Sequence, residues 1–501
     1  MHSNNKRIAR NTLYLYLRKI LSLIISLYTS RILLQALGID DFGLFGLVGS
    51  IVVLFSSLRS LFASSIQRFL NIQTSSDLKE QNEIFSMGVL IHIGLSILFL
   101  VVVEIAGIFM IPELNLHPEK VSVAIWVLQF SILAAILSIL TVPYDAVMMA
   151  KERFGFIALL QLFESILKVG VIFLLYISPI NRLIFYVILL VALAFLIRFI
   201  SAIYCHKNFP EIAKFHFLKN RKLLIQMTHF AGWNFFGNLG YSLTNQGLNF
   251  ILNWFGGVVA NAARTIAYQV NDNIRNFVID ASIAFTPQSM QAFYTDKTRF
   301  YSLQFLSSKI CSSIFLILIF PIYVYTKPIL IYWLGESPQY TVQFIHGIIV
   351  YSIIRNWHGP IDIAFKSANM MKKYQLAEIL IMVLNLPVAW IFLHYNLPLY
   401  MVFYTMAIME VVNLICILIL AKIQLHFPVL EFCNKVIAPT VFIVIILYCL
   451  FIGNSFLDYN EDNFFYLISG CLIAVMISSG LNFLIMYSSM ERKKILSTIF
   501  K

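Results

Sequence analysis

Long apolar windows constrain the fold of this chain more than any other feature. Stretches of about 20 mainly apolar residues, the length that lets an α-helix cross a bilayer, follow one another along nearly the whole sequence. Charged residues make up only 12% of the 501 residues, whereas soluble domains carry roughly 25%. The alternation typical of a transmembrane β-barrel is absent. We therefore predict an all-α polytopic membrane protein.

The apolar windows predict about fourteen transmembrane helices. They lie near residues 11–37, 46–71, 83–111, 121–150, 156–178, 183–206, 223–255, 257–294, 302–333, 338–369, 374–396, 399–421, 432–452 and 463–489. Lysines and arginines concentrate in alternate loops, whereas the intervening loops GIDDFG (38–43) and LDYNEDN (457–463) carry acids. By the positive-inside rule both termini are expected to be cytoplasmic. The first span has no small-residue cleavage site and is expected to remain as an anchor.

Two short motifs occur once in each half of the chain. TVPYDAVMMAKERF contains Pro143 and Asp145, and HGPIDIAFKSANMMKKY contains Pro360 and Asp362. A second pair, SSIQRF and FTPQSM, is separated by nearly the same number of residues. The matches predict a duplication, with two parallel six-helix lobes related by an axis normal to the membrane. Chance similarity between apolar segments is the alternative.

The duplication leads to a predicted domain organisation. Residues 1–206 form an N-terminal six-helix lobe, and residues 207–222 form a basic cytoplasmic linker. Residues 223–426 form a C-terminal six-helix lobe, and residues 427–501 add two helices and a basic cytoplasmic tail. In folds built from such repeats the substrate site lies between the halves.

Five arginines lie within windows that are otherwise apolar: Arg31, Arg59, Arg264, Arg275 and Arg355. A guanidinium group cannot lose its proton in a protein, and its placement at membrane depth costs at least about 2.5 kcal/mol. Such side chains usually face a bundle interior or a water-filled cavity, so several of them predict an anionic cargo. Arg264 and Arg59 are the strongest candidates, followed by Arg31. Arg275 and Arg355 have acids within two turns, which leaves a structural role open.

One face of the seventh predicted span is lined by amides and a phenol. Its members are Asn234, Asn238, Tyr241, Asn245, Asn249 and Asn253, which recur every three or four residues. Amides in hydrocarbon must find hydrogen-bond partners. The face suits binding of sugar hydroxyls or water in a cavity. Helix–helix packing is the alternative, because glycines line much of the rest of this span.

Four carboxylates at membrane depth are candidates for ion coupling or gating: Asp145, Glu164, Asp272 and Asp362. Two of them have a lysine one turn later, so internally neutralised structural pairs are the alternative. Neither a Walker A motif nor HExxH occurs, and no metal-ligand spacing stands out. We therefore expect a transporter and no enzyme, with no metal and no other cofactor. Nucleic acid is a poor explanation for the net charge of +12.

The stretch from NTLYLYLRK to SSIQRFL resembles the N-terminal signature of bacterial polysaccharide repeat-unit flippases, which belong to the multidrug/oligosaccharidyl-lipid/polysaccharide (MOP) superfamily. VPYDAVMMAKERFGFIALLQLFESILKV resembles the same family around its fourth and fifth spans. The resemblance is strongest over residues 8–70 and 140–170. Family members often carry Asn where this chain has Asp145, which leaves the role of this residue open.

The resemblance implies a bacterial inner-membrane protein that moves undecaprenyl-diphosphate-linked oligosaccharides from the cytoplasmic to the periplasmic leaflet, for O-antigen, capsule or exopolysaccharide assembly. It also implies a V-shaped central cavity lined by the first, second, seventh and eighth helices. Expected partners are the glycan lipid, membrane lipids, a polysaccharide polymerase and a chain-length regulator. Alternatives are a cation-coupled multidrug exporter, a polysaccharide polymerase or ligase, and a lipid II flippase.

Overall fold

The structure, a computed structural model, describes most of the chain. It covers residues 25, 27–50, 66, 69–70, 78–112, 116–151, 153–283, 285–368, 370–455 and 464–493, and within these ranges the side chains of residues 154, 229–239, 241, 280, 283, 286–287, 290 and 454–455 are outside the description. The described residues form helices joined by short turns, without a strand. The predicted all-α polytopic class is therefore confirmed.

The chain divides into two compact units, which meet in sequence between Ala262 and Ala263. The N-terminal unit contains α1 (Leu27–Ser50), α2 (Leu78–Met110), α3 (Pro118–Ile139), α4 (Val142–Ala150), α5 (Phe154–Leu174), α6 (Arg182–Asn208) and most of α7 (Arg221–Ile283). The C-terminal unit contains the end of α7, then α8 (Thr286–Thr295), α9 (Lys297–Val324), α10 (Thr326–Leu334), α11 (Thr341–Arg355), α12 (His358–Ser367), α13 (Met371–His394), α14 (Met401–Leu425), α15 (Val429–Phe432), α16 (Ala438–Ser455) and α17 (Phe464–Leu481). The predicted boundary between the lobes, in the linker 207–222, remains a prediction.

Ten helices among the described residues are long and apolar enough to cross a membrane. Three of the four remaining predicted spans correspond to other described helices, and one lies mainly outside the description. The second falls mainly on residues outside the description, the seventh and eighth are the two parts of α7, and α11 with α12 makes the tenth. Two glycines with positive φ break the helical path, Gly38 (78°) within α1 and Gly257 (64°) within α7. Only glycine adopts this backbone readily, so both breaks lie where the sequence predicts a change of span.

Both copies of the predicted motif form a short helix after a break in a longer one. α4 follows a turn at Leu140–Thr141 and has Pro143 in its first turn. α12 follows a turn at Asn356–Trp357, and Pro360 is its third residue. Proline near a helix start loses no internal hydrogen bond, because the first N–H groups have no partner within the helix. The shared local geometry supports the repeat in these two segments.

Contacts in the N-terminal unit join loops that the sequence predicts on the same side of the membrane. Lys120 follows the third predicted span and forms an ion pair with Asp41, which follows the first, so the alternation of loops predicts both on the same, outer face. Lys151 donates to Gln81 over 2.8 Å at the opposite face. The alternation of loops predicted for this unit is therefore consistent with its internal contacts.

The basic linker of the N-terminal unit is fastened to the start of α2. The amide of Asn82 donates to the carbonyl oxygens of Ile212 (2.9 Å) and Lys214 (2.6 Å). The backbone N–H of His216 donates to Ser86 Oγ over 3.1 Å. Asn220 then caps α7 by accepting a hydrogen bond from the N–H of Leu223 (3.1 Å). These bonds hold the linker against the first turns of α2.

The two C-terminal helices, α16 and α17, pack on α9 within the C-terminal unit. Their shared core includes Phe320, Tyr325, Leu447 and Ala474. Beyond α17, Glu491 accepts hydrogen bonds from Lys309 of α9 at 2.8 and 3.0 Å. The helices that lack a counterpart in the predicted repeat are therefore an integral part of this unit.

Candidate functional site

Among the predicted cations in the described part of the chain, Arg264, at the start of the C-terminal unit, is the most buried. Its residue exposure is 5%. The guanidinium carbon lies 3.9 Å from the centre of the Tyr268 ring, one helical turn along α7. A cation at this distance is stabilised by the ring quadrupole. The stacking partially compensates the lost hydration of Arg264 while its positive charge is kept.

The same part of α7 carries a second polar group around Asp272. Asn271 donates to Asp272 Oδ1 over 3.3 Å and accepts a hydrogen bond from Ser352 Oγ of α11 over 2.6 Å. Asp272 also interacts electrostatically with Arg275. The structure thus brings the two predicted residues Asp272 and Arg275 together and ties them to α11.

A buried ion cluster joins α11, α12, α13 and α14. Arg355 donates to Glu378 at 2.5 Å and to Glu410 at 3.1 Å. His358 Nε2 lies 3.1 Å from the same oxygen of Glu410. The exposures of His358 and Glu410 are 2% and 3%. Four titratable or charged side chains are therefore held in contact, with His358 and Glu410 buried and Arg355 and Glu378 partly exposed.

Sequence reasoning missed half of this cluster. It paired Arg355 with acids on its own span, whereas the structure pairs Arg355 with acids from α13 and α14. Glu410 was not predicted, although it is a lone acid in an apolar window. Asn413, one turn later, donates to it over 3.5 Å. A lone carboxylate followed one turn later by an amide is the sequence pattern that could have predicted a buried polar site here.

The amide face of the seventh span lies in the N-terminal unit, where its described members contact other amides. Asn249 donates to Gln246 over 3.2 Å, and Asn253 accepts a hydrogen bond from Asn261 over 3.2 Å. Asn249 and Asn253 are both buried. Asn245 is half-buried on the same part of α7. At Asn249 and Asn253 these contacts are amide pairs within α7, so the cavity role and the helix-packing alternative both remain predictions.

The side chains of four predicted binding residues lie outside the description. Arg59 lies outside the described residues, as do the side chains of Asn234, Asn238 and Tyr241, whose backbone belongs to α7. Arg31 is described and is half-buried on α1. The binding roles of these residues therefore remain predictions.

The other predicted carboxylates are distributed between the two units. Asp145 is half-buried on α4. Glu164 pairs with Lys168 over 2.7 Å, with a third or more of each side chain exposed. Asp362 pairs with Lys366 over 2.5 Å on α12. The two lysine pairs form as the one-turn spacing predicts, which matches their structural alternative.

Comparison with protein families gives a match over more than half of the chain. Residues 8–293 match the family described as polysaccharide biosynthesis protein. A search of curated proteins found no match. The matched region covers the stretches that carry the resemblance noted in the sequence, which is thereby confirmed.

Solved structures of membrane transporters have the same fold. The lipid II flippase MurJ, in an inward closed conformation, is 13% identical with a TM-score of 0.69, over 94% of this chain and 98% of that one. An inward-facing multidrug resistance MATE family transporter of the MOP superfamily is 15% identical with a TM-score of 0.66, over 82% and 96%. A MOP superfamily transporter from Pyrococcus furiosus, described by the reverse polarity of its binding pocket, is 15% identical with a TM-score of 0.56, over 83% and 95%. The chain therefore has the fold of MOP superfamily transporters.

Proposed function

Because the chain belongs to the polysaccharide biosynthesis protein family and has the fold of MOP superfamily transporters, we propose that it is a flippase for lipid-linked oligosaccharides. It moves undecaprenyl-diphosphate-linked repeat units from the cytoplasmic to the periplasmic leaflet of the bacterial inner membrane by alternating access. The products supply O-antigen, capsule or exopolysaccharide assembly, where a polymerase and a chain-length regulator act next.

The buried cation Arg264 is the observation that carries this proposal. A diphosphate is a strong anion, and the electrostatic attraction between opposite charges grows as the surroundings become less polar. Arg264 stays charged at any physiological pH and is already partly desolvated against Tyr268. It can therefore exchange its contact with the ring for a contact with phosphate at a low desolvation cost. Arg31 and Arg59 are the further candidate contacts in the N-terminal half.

Complementation of a flippase-deficient strain tests the role of Arg264. Arg264→Ala is expected to reduce surface polysaccharide at least tenfold, the effect of losing about 1.4 kcal/mol of binding. Arg299→Ala, which removes an exposed arginine at the start of α9, is the matched control and should transport normally. Wild-type polysaccharide from Arg264→Ala at normal expression would contradict the proposal.

We propose that the Arg355 cluster couples transport to a cation. Two carboxylates contact one guanidinium there, so the cluster carries an excess negative charge while His358 is neutral. Among the neighbouring charged groups, Asp272 interacts with Arg275 and Asp362 pairs with Lys366. A buried net charge is costly, and a proton shared by His358 and Glu410 would remove it. This proposal adds the Arg355 cluster to the four predicted coupling candidates, Asp145, Glu164, Asp272 and Asp362.

Proton uptake by purified protein in liposomes tests the coupling. Glu410→Gln keeps the shape of the side chain but cannot take up a proton, so substrate-induced pH changes should disappear. Glu431→Gln, in an exposed ion pair with Lys435, should retain them. Sodium-dependent transport without proton movement would contradict the proton as the coupled cation, and the cluster would then be a candidate sodium site.

A multidrug exporter is the second candidate, because one of the similar structures is a multidrug resistance transporter. An exporter of cationic drugs would gain nothing from a buried arginine in its binding region. Expression in a drug-sensitive strain separates the two. Resistance to several cationic drugs, without restored polysaccharide in the deficient strain, would favour the exporter.

A further inference from the structure

A groove between the middle of α2, the end of the basic linker and the first turns of α7 is not used by the proposed transport cycle. It lies within the N-terminal unit and has a volume of about 570 Å³, within the roughly 300–1,000 Å³ typical of small-molecule sites. Its walls are apolar and include Leu90, Leu95, Leu98, Phe217, Leu218 and Leu224. An occupant of this groove must therefore present mainly hydrocarbon.

Two cations, Lys219 and Arg221, complete the lining of the groove. Both are exposed, and neither forms an ion pair with an acid in the described part of the chain. The linker that carries them is fastened to Asn82 and Ser86 at the start of α2. The positive charge therefore enters the groove near the end of α2 that the sequence predicts at the cytoplasmic face.

The length of the groove matches one leaflet of the bilayer. Along α2 it runs from Met87 to Leu98, about 16 Å at 1.5 Å per residue. The hydrocarbon core of a bilayer is about 30 Å thick, so half of it is about 15 Å. Ile93, Ile97 and Val101 of α2 are exposed beside it, so the groove continues a lipid-facing apolar surface. A chain that starts at the cations and follows the groove ends near the bilayer midplane.

We propose that this groove binds one anionic phospholipid of the cytoplasmic leaflet, with its phosphate between Lys219 and Arg221 and one acyl chain along α2. Basic pockets at the cytoplasmic ends of transmembrane helices suit such head groups. The single-leaflet length favours a phospholipid over the longer polyprenyl carrier. The site fixes the linker and α7 against α2, and it does not depend on which cargo the protein transports.

The head-group contact is tested with purified full-length protein in phosphatidylcholine nanodiscs, titrated with phosphatidylglycerol and followed by native mass spectrometry. Each of Lys219→Gln and Arg221→Gln should weaken phosphatidylglycerol binding about fivefold, and the double variant about 25-fold. Lys207→Gln, an exposed cation at the end of α6 outside the groove, is the control and should bind normally. Equal weakening by Lys207→Gln, or unchanged binding by the double variant, would overturn the site.

The acyl-chain contact is tested by filling the groove. A Cβ added at Gly94 meets nothing within 4 Å, so Gly94→Leu projects into open space. It should reduce bound phosphatidylglycerol at least fivefold without loss of folded protein. Gly170→Leu, also open and exposed on α5, is the matched control. Normal lipid binding by Gly94→Leu, or displacement of the phospholipid by polyprenyl diphosphate, would overturn the assignment. A change of oligomeric mass in Gly94→Leu would also overturn it, because the groove would then be a contact with a second copy of the chain.

Discussion

α4 in the N-terminal unit and α12 in the C-terminal unit have the same backbone geometry but different electrostatic surroundings. At α4, the carbonyl oxygen of Leu140 at the helix break accepts a hydrogen bond from Arg198 of α6. The guanidinium of Arg198 also lies 5.8 Å from the centre of the Tyr144 ring. The arginine beside this copy of the motif thus satisfies the backbone at the break.

At α12 the neighbouring arginine, Arg355, forms ion pairs with carboxylates. Arg355 ends α11 immediately before the break, and it contacts Glu378 and Glu410 from two other helices. His358, the first residue of α12, contacts Glu410 as well. The comparison indicates that a duplicated motif supplies the same broken helix twice, while a cluster of ion pairs lies at only one of these two copies.

The largest expected effects come from removing Arg198 or Arg355, the arginines beside the two short helices. Arg355→Leu leaves two carboxylates buried without their cation, and we expect a loss of about 3–5 kcal/mol in the free energy of unfolding. Arg198→Leu removes one hydrogen bond to a carbonyl and a longer contact with the Tyr144 ring, and we expect a loss of about 1–3 kcal/mol. Thermal unfolding of both purified variants in one detergent measures the difference. Equal losses would mean that the two arginines have the same structural role.

The apolar triple variant Arg355→Leu, Glu378→Leu, Glu410→Leu separates stability from coupling. Replacing a whole buried ion cluster with apolar residues is often neutral or stabilising, so it should recover most of the loss caused by Arg355→Leu alone. Transport should nevertheless be abolished, since His358 would remain without a carboxylate with which to share a proton. Transport at the wild-type level in the folded triple variant would reduce the cluster to a structural role, and Glu410→Gln gives the same test if the triple variant does not fold.

The sequence predicts features that depend on neighbouring residues better than features that depend on residues far apart in the chain. The spans, the breaks near Gly38 and Gly257 and the two short proline-initiated helices depend on hydropathy and local backbone, so they can be read from neighbouring residues. The partners of Arg355 depend on how α11, α13 and α14 pack. Asp362 is nearer in sequence, yet it pairs with Lys366 on its own helix. Local spacing therefore predicted the exposed pairs and missed the buried one.

Close backbone packing provides a smaller test of the N-terminal unit. A Cβ added at Gly43 of α1 would collide with the backbone carbonyl of Val258, whereas one at Gly49 of the same helix meets nothing within 4 Å. Small residues allow such close helix approach in membranes. Gly43→Ala should cost about 1–3 kcal/mol, because a backbone oxygen cannot rotate away as a side chain can. Chemical denaturation of Gly43→Ala and of the control Gly49→Ala measures the difference in stability. Equal stability would show that α1 and α7 separate easily at this contact.

The smallest expected effect concerns the ion pair at the end of the C-terminal unit. Burial opposes the charge of Glu491, but hydrogen bonds from Lys309 and Ser488 outweigh it and hold the pKa of Glu491 below its ordinary value of 4.5. A carboxyl group whose pKa is lowered by folding stabilises the fold above its ordinary pKa, and this contribution is lost as the pH falls through the folded value. Because Glu491 is partly exposed, we expect about 1 kcal/mol or less. Unfolding temperatures measured from pH 7 to pH 3 should therefore fall slightly more steeply in the wild type than in Glu491→Gln. Parallel curves would show that the Lys309 contact adds no stability.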